Sequence, residues 1–260
     1  MSRLTYWLAA GLLLVLVAGC DRSGAGPQGT PQSSRSPSAS FTPKPLAEYC
    51  GVQTDKITTS TLRTDAGDVL PIGWTGSGTT TAILLHETGG GGMCGFIDYG
   101  RFLAGHGVRV MLVDLCSYGR ARCGDHLAHD RAAQVQLFAD EARKQQVERL
   151  VLVGASMGGS VAAHSAARVR ADAVVDLSGP VDFFELNLAD DLPTLTMPTL
   201  FAFSPTDQSD LDKVTSLLPS VPAKTKRLMT GRSGHGYELL GDGSTTIAAA
   251  VLAWVKGDYP

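Results

Sequence analysis

Residues 148–163, ERLVLVGASMGGSVAA, constrain the fold of this chain more than any other stretch. A short apolar run at 150–153 leads straight into Gly154-Ala155-Ser156-Met157-Gly158-Gly159 and then into small, helix-tolerant residues. The pattern predicts a strand, a sharp turn and a helix, with Ser156 at the apex. Glycines on both sides let the backbone bend and pack closely there. A serine presented in this way is a candidate nucleophile. The G-x-S-x-G spacing does not decide the matter alone, because a composition with 30 glycines in 260 residues yields roughly 0.3 such matches by chance. A glycine-rich strand-to-helix connection in an ordinary α/β domain reads the same way. Partners elsewhere in the chain must decide.

The rest of the chain is organised compatibly. Residues 57–63 and 69–74 flank the turn Asp65-Ala66-Gly67-Asp68 and read as a hairpin. Apolar, β-like runs follow at 80–85, 108–113, 173–177 and 199–203, with a weaker one at 227–229. Helical patterns stand between or after them at 99–105, 131–146 and 245–255; in the second, Ala132, Val135, Phe138, Ala139 and Ala142 recur at helical spacing. Alternation of this kind predicts an α/β fold, a mostly parallel sheet of about eight strands with helices on both faces. Ligands of such sheets bind beyond the carboxyl ends of the strands, where Ser156 falls. With 43% hydrophobic residues the chain can bury a full core. A net charge of -3 offers no basic footprint, so nucleic acid is not expected as a partner. No P-loop, no H-E-x-x-H and no C-x-x-C is present, and neither cofactor nor metal is expected.

The N-terminus carries an address. Arg3 precedes an apolar run at 6–18 that ends in Val17-Ala18-Gly19-Cys20. So short a run before a small-residue cleavage site predicts a signal peptide over 1–19, since a membrane span needs about 20 apolar residues. The Val-Ala-Gly-Cys ending resembles the bacterial lipobox. The resemblance implies that Cys20 is lipidated and begins the mature protein; a plain secretory signal with an incidental Cys20 is the alternative. Acyl chains on Cys20 would hold the protein at the extracytoplasmic face of the cell membrane. Of the 27 residues at 21–47, 14 are Ser, Pro or Gly, which predicts a linker without fixed structure and a folded domain over 48–260. Cys50, Cys94, Cys116 and Cys123 are then an even set in an exported domain, and two disulfides are expected. Three connectivities are open. Cys116 and Cys123, closest in sequence, could staple one loop.

Candidate partners for Ser156 follow in the order acid, then histidine. Ser204-Pro205-Thr206-Asp207 succeeds the strand at 199–203, and Ser233-Gly234-His235-Gly236-Tyr237 precedes the last helix. With these residues the chain resembles the α/β-hydrolase family over nearly all of the domain. The resemblance implies the α/β-hydrolase fold, Ser156 as nucleophile, Asp207 as acid and His235 as base. Chemistry requires those three types: a serine hydroxyl attacks well only when an imidazole takes its proton. A carboxylate must hold that imidazole in the right tautomer and offset its charge. Asp182, in Gly179-Pro180-Val181-Asp182, is the second candidate acid, because some relatives place the acid one strand earlier. Asp210 is the third, and also reads as a cap of the next helix.

The Met157 backbone N–H, at a helix start, is one candidate oxyanion donor. The resemblance puts the second at Thr88, in His86-Glu87-Thr88-Gly89. Family members usually read His-Gly there, so Glu87 is a departure. A carboxylate beside a developing oxyanion opposes it unless it points away or is paired. His86 reads as structural. Residues 181–198 leave room for a minimal lid at most; Phe183, Phe184, Leu186 and Leu188 suit the face of one buried helix better than an apolar flap. The loop 116–129, with Arg120, Arg122, His126 and His129, lines the same mouth and reads as a solvated rim rather than as a contact for an anionic substrate group.

The expected function is a serine hydrolase cleaving carboxylic esters of a small acyl substrate through an acyl-enzyme. Amide or thioester cleavage by the same triad is one alternative. A surface lipoprotein that keeps the fold without catalysis is another, favoured by Glu87 alone.

Overall fold

Parallel strands that are covered on both faces are apolar throughout, and the runs found in the sequence form such strands. The computed structural model describes residues 41–89, 91–241, 243 and 245–259; the predicted signal peptide, Cys20 and residues 21–40 of the predicted linker lie outside them. In chain order the elements begin with α1 (Leu46–Cys50), β1 (Thr58–Arg63), β2 (Val69–Thr75), β3 (Thr80–Leu85), α2 (Ile97–Gly105) and β4 (Arg109–Val113). Next come α3 (Asp125–Ala128), α4 (Arg131–Arg143), β5 (Arg149–Ala155), α5 (Met157–Ala166) and β6 (Ala173–Leu177). A two-strand hairpin follows, β7 (Asp182–Phe183) with β8 (Leu186–Asn187), and then α6 (Leu188–Asp191). The chain closes with β9 (Thr199–Phe203), α7 (Gln208–Leu217), β10 (Lys226–Thr230) and α8 (Thr246–Lys256).

The main sheet has eight strands in the order β1-β2-β4-β3-β5-β6-β9-β10. From β4 to β10 all neighbours are parallel; β2 is antiparallel to both β1 and β4. Register sets the site. Leu85 pairs with Gly154, Ala155 with Leu177, and Leu177 with Ala202, so the carboxyl ends of β3, β5, β6 and β9 finish level. The edge strands are the polar ones: β1 reads TTSTLR and β10 KRLMT, a composition that discourages further pairing.

Alternate side chains feed two cores. From β3, Ile83 and Leu85 meet Val135 and Phe138 of α4 and Val161 of α5. Ala82 and Leu84 face the other way, toward Phe96, Leu103 of α2, and Val251 and Trp254 of α8. All five apolar positions predicted for α4 are buried. Its start is set by Asp130, whose side chain accepts the Ala133 N–H at 2.7 Å.

Three expectations change. Phe183 to Leu188 do not form one buried helix: Asn187 accepts the Ala189 N–H at 2.9 Å, so helix begins only at Leu188. The residues before it pair as the β7–β8 hairpin, with Leu186 and Leu188 buried and Phe184, at φ 50°, 88% exposed at the tip. Arg120 is no rim residue; it is buried and its Nε donates to Asp114 Oδ2 at 3.1 Å. Leu46, within the stretch read as linker, is buried in the second core. No large lid interrupts 181–198, which holds only the hairpin, α6 and one 3-10 turn.

Two disulfides join Cys50 to Cys94 and Cys116 to Cys123. The first spans 44 residues and the second 7. On chain-entropy grounds the longer closure stabilises by about 4 kcal/mol and the shorter by about 2. Cys50→Ser with Cys94→Ser should therefore lower the unfolding free energy about twice as much as Cys116→Ser with Cys123→Ser, measured by urea titration of each double variant.

Candidate active site

Between β5 and α5 stands a single residue, Ser156, at φ 50° and ψ -122°. Residues with a side chain rarely adopt such backbone angles, and holding them costs on the order of 1–3 kcal/mol. Neighbours impose them. The Ser156 N–H donates to the Leu177 carbonyl at 2.8 Å, and the Gly159 N–H returns to the Ser156 carbonyl at 2.7 Å. A Cβ on Gly154 would stand 1.8 Å from the Gly158 oxygen, and one on Gly158 would stand 1.9 Å from the Leu85 oxygen. Only glycine permits these approaches. They press the first turn of α5 against the end of β3, with Gly158 packed on the Leu85 and His86 carbonyls and the Met157 amide one residue before it. That amide is among the first four of the helix, none of which has an intrahelical partner.

The loop after β3 is pinned by buried polar groups. His86 is buried, and its Nε2 accepts the Leu115 N–H at 3.0 Å. Its Nδ1 must then carry the proton, which it donates to the Glu87 carbonyl at 2.6 Å. Burial holds His86 below the usual imidazole range, so it stays neutral. Its role is structural. Asp114, also buried, accepts the Met93 N–H on Oδ1 and the Arg120 N–H and Nε on Oδ2, tying the far end of the same loop. Thr88 lies on the exposed bend between these anchors.

Beyond β9 and β10 the acid and histidine loops are laced together. The Ser204 hydroxyl donates to the Gly234 carbonyl at 2.5 Å and the Thr206 hydroxyl to the same oxygen at 2.7 Å. Glu238 accepts the His235 N–H at 3.1 Å. Within this frame His235 Nδ1 meets Asp207 Oδ1 at 2.7 Å. The Asp207 side chain is 12% exposed and that of His235 44%, a largely covered carboxylate against an accessible imidazole. The next residue, Gly236, packs on Ala155 and Ser156: a Cβ there would stand 3.3 Å from Ala155 Cβ and 3.6 Å from Ser156 N. Ser156 itself is 9% exposed.

The other candidate acids lie elsewhere. Asp182 is 63% exposed and pairs with Lys213 at 3.2 Å. Asp210 accepts the Val181 N–H at 3.0 Å. Neither meets His235. Of the loop 116–129, His126 turns to Asp68 at 3.1 Å. Glu87 does not point wholly away from the site: its Oε2 is buried against Gly236 without a hydrogen-bond partner, and burial holds the carboxyl above its ordinary range.

Asp176 was not anticipated, although a lone aspartate in the otherwise apolar run AVVDL of β6 was a signal for it. It sits directly beneath α5. A Cβ on Gly159 would stand 2.1 Å from its Oδ1, which accepts the Gly179 N–H at 2.6 Å, while Oδ2 has no partner. Burial pushes its carboxyl up to about 7, with the charge of Asp210 adding to the effect and the Gly179 bond opposing it.

A strained serine between strand and helix, on a parallel sheet with an Asp–His pair beyond adjacent strands, is the architecture of an α/β hydrolase. The sequence profile of the alpha/beta hydrolase family matches residues 82–255, and the chain belongs to that family. Solved structures share the fold at low identity. Dienelactone hydrolase from Anabaena variabilis is 19% identical with a TM-score of 0.58, over 79% of this chain and 100% of that one. An esterase of Pyrococcus furiosus is 14% identical at 0.67, over 82% and 94%. The thioesterase domain from the curacin biosynthetic pathway is 14% identical at 0.59, over 77% and 99%. A comparison with curated proteins finds no match.

Asp176 generates a pH prediction. Its native carboxyl binds a proton more tightly than the unfolded one, whose ordinary value is 3.8, so its contribution to stability falls as pH rises from there to about 7 and is level beyond. Asp176→Asn keeps an acceptor for Gly179 and cannot ionise. It should flatten that decline and exceed the wild type in stability above neutrality, as read from urea titrations in an acid-to-alkaline buffer series.

Proposed function

We propose that this protein is a serine hydrolase that cleaves carboxylic esters through an acyl-enzyme. The observation that carries the reading is the His235–Asp207 pair at 2.7 Å, on a turn packed against the backbone of Ser156. With the Nδ1 proton given to Asp207, Nε2 offers its lone pair. It takes the Ser156 proton as Oγ attacks the acyl carbon, and Asp207 offsets the imidazolium that forms. The amides of Met157 and Thr88 receive the oxyanion, the first with help from the α5 dipole. His235 then passes its proton to the departing alcohol. Water repeats the sequence on the acyl-enzyme and releases the acid.

Ester cleavage is supported by family membership and by the esterase and lactone-hydrolase names among proteins of like fold. The minimal cap over 181–198 suits small or exposed acyl groups. We also propose that Cys20 carries a lipid anchor after removal of residues 1–19, which holds the domain at the extracytoplasmic face of the cell membrane. Two disulfides in the domain accord with an oxidising compartment.

A fluorophosphonate probe should label the wild type and fail to label Ser156→Ala or His235→Ala. Asp207→Asn should lower ester kcat by about 10⁴-fold. Ester turnover at the wild-type rate in folded Ser156→Ala overturns the assignment, and an ester, thioester and amide of one acyl group identify the bond cleaved.

A further inference from the structure

Glu87 touches both halves of the site and has no part in the reaction above. Its main chain is fixed, because His86 Nδ1 donates to its carbonyl and Leu115 anchors His86 in turn. Its carboxyl lies between the loop after β3 and the His235 turn. Oε1 faces its own loop, 3.5 Å from where a Cβ of Gly89 would stand, and Oε2 faces Gly236, 2.5 Å from the corresponding point. Oε2 is buried and has no hydrogen-bond partner.

The ionisable groups around it are few. His86 adjoins it on its own loop, and His235, Tyr237 and Glu238 face it from the turn. The Tyr237 ring closes the side, seated over Gly95 and edge-on to Phe96. While protonated, Glu87 fills the gap between two glycine backbones at no electrostatic cost to the chemistry. Once ionised, it sets a negative charge one residue from the Thr88 amide, met on the turn side by hydrogen bonds from the Tyr237 hydroxyl and backbone but by none at Oε2. Such a charge opposes a second negative charge forming nearby, the more so on the buried Oε2 side. Burial favours the neutral form and the charge of Glu238 adds to it, while hydrogen bonds from the Tyr237 hydroxyl and backbone and a protonated His235 favour the ionised one.

We propose that Glu87 is a positioning residue whose proton keeps the oxyanion hole usable: the neutral acid lets the Met157 and Thr88 amides receive the oxyanion, and its ionisation weakens the hydrolase on the alkaline side. The step is the loss of one proton from the carboxyl to solvent; no substrate bond is involved. The proposal rests on the triad reading, since it needs an oxyanion at those amides.

The test follows kcat/KM for an ester, and the second-order rate of fluorophosphonate labelling, from about pH 5 to about pH 9 in wild type, Glu87→Gln and Tyr237→Phe. Glutamine keeps the shape and cannot ionise, so the ratio of Glu87→Gln to wild type should rise by at least about tenfold across the range in both measures. Tyr237→Phe removes a group that favours the ionised carboxyl, so the alkaline fall of the wild type should move to higher pH; this arm carries the test if Glu87→Gln does not fold. A ratio that is flat with pH, or a Tyr237→Phe profile that does not move, overturns the role of Glu87 while labelling of Ser156 still upholds the triad. A wild type that labels at no pH overturns the triad reading and this one with it.

Discussion

Ser156 holds a backbone conformation that its own side chain disfavours, and contacts made by other residues' backbones keep it there. The Gly154 and Gly158 positions allow main-chain approaches that any Cβ would block at 1.8 and 1.9 Å. Those approaches join β5, α5 and the end of β3 into one unit. Because Leu85 pairs with Gly154 in the sheet, the loop carrying Thr88 starts level with the serine. The seat of Gly236 and the tight packing of Gly159 over Asp176 depend on the same bend. Strain of this kind persists only where the surroundings over-determine it, and here the parallel sheet supplies that rigidity.

Four carboxyl groups around this unit, Asp114 and Asp176 buried and Asp207 and Glu87 partly so, show how partners decide what a carboxyl can do. Asp114 is met by two backbone amides and the Arg120 guanidinium, and serves as an anchor for the loop after β3. Asp207 is met by an imidazole, which makes it the candidate orienting acid. Asp176 has one amide and a free oxygen, and burial therefore holds its proton up to about 7. Glu87 has no partner on Oε2 and lies beside the turn bearing His235. Burial raises the proton affinity of a carboxyl, and donors or opposite charges lower it; at Asp176 and Glu87 burial is the larger effect.

The site is also tied to parts of the chain distant from it. Cys94 links the stretch after the β3 loop to α1 through Cys50, and Gly95 beside it supports the Tyr237 ring two residues from His235. Ser204 and Thr206 share the Gly234 carbonyl, so the loops carrying Asp207 and His235 are held as one piece. Between β6 and β9, the β7–β8 hairpin stands where a lid would be inserted and leaves Phe184 exposed.

Local pattern was enough for much of this. Apolar runs bounded by glycine and polar turns placed the strands, helical spacing placed α4, and Gly154-Ala155-Ser156-Met157-Gly158 marked a strand-to-helix bend, because each depends on neighbours a few residues away. The departure at Glu87 was likewise visible as a residue. Contacts between distant segments were not. Whether Cys50 joins Cys94, whether Arg120 faces water or Asp114, whether Leu46 belongs to the core, and where the Glu87 carboxyl lies are all decided by which loops the sheet register brings level. Phe183 to Leu188 show the limit from the other direction: an apolar spacing that suits a helix was overruled by the Asn187 cap and strand pairing across a two-residue turn. The sequence by itself determined the class of fold and the residue types available for chemistry. Tertiary structure alone decided their distances and protonation, since both arise from packing and desolvation that no local stretch contains.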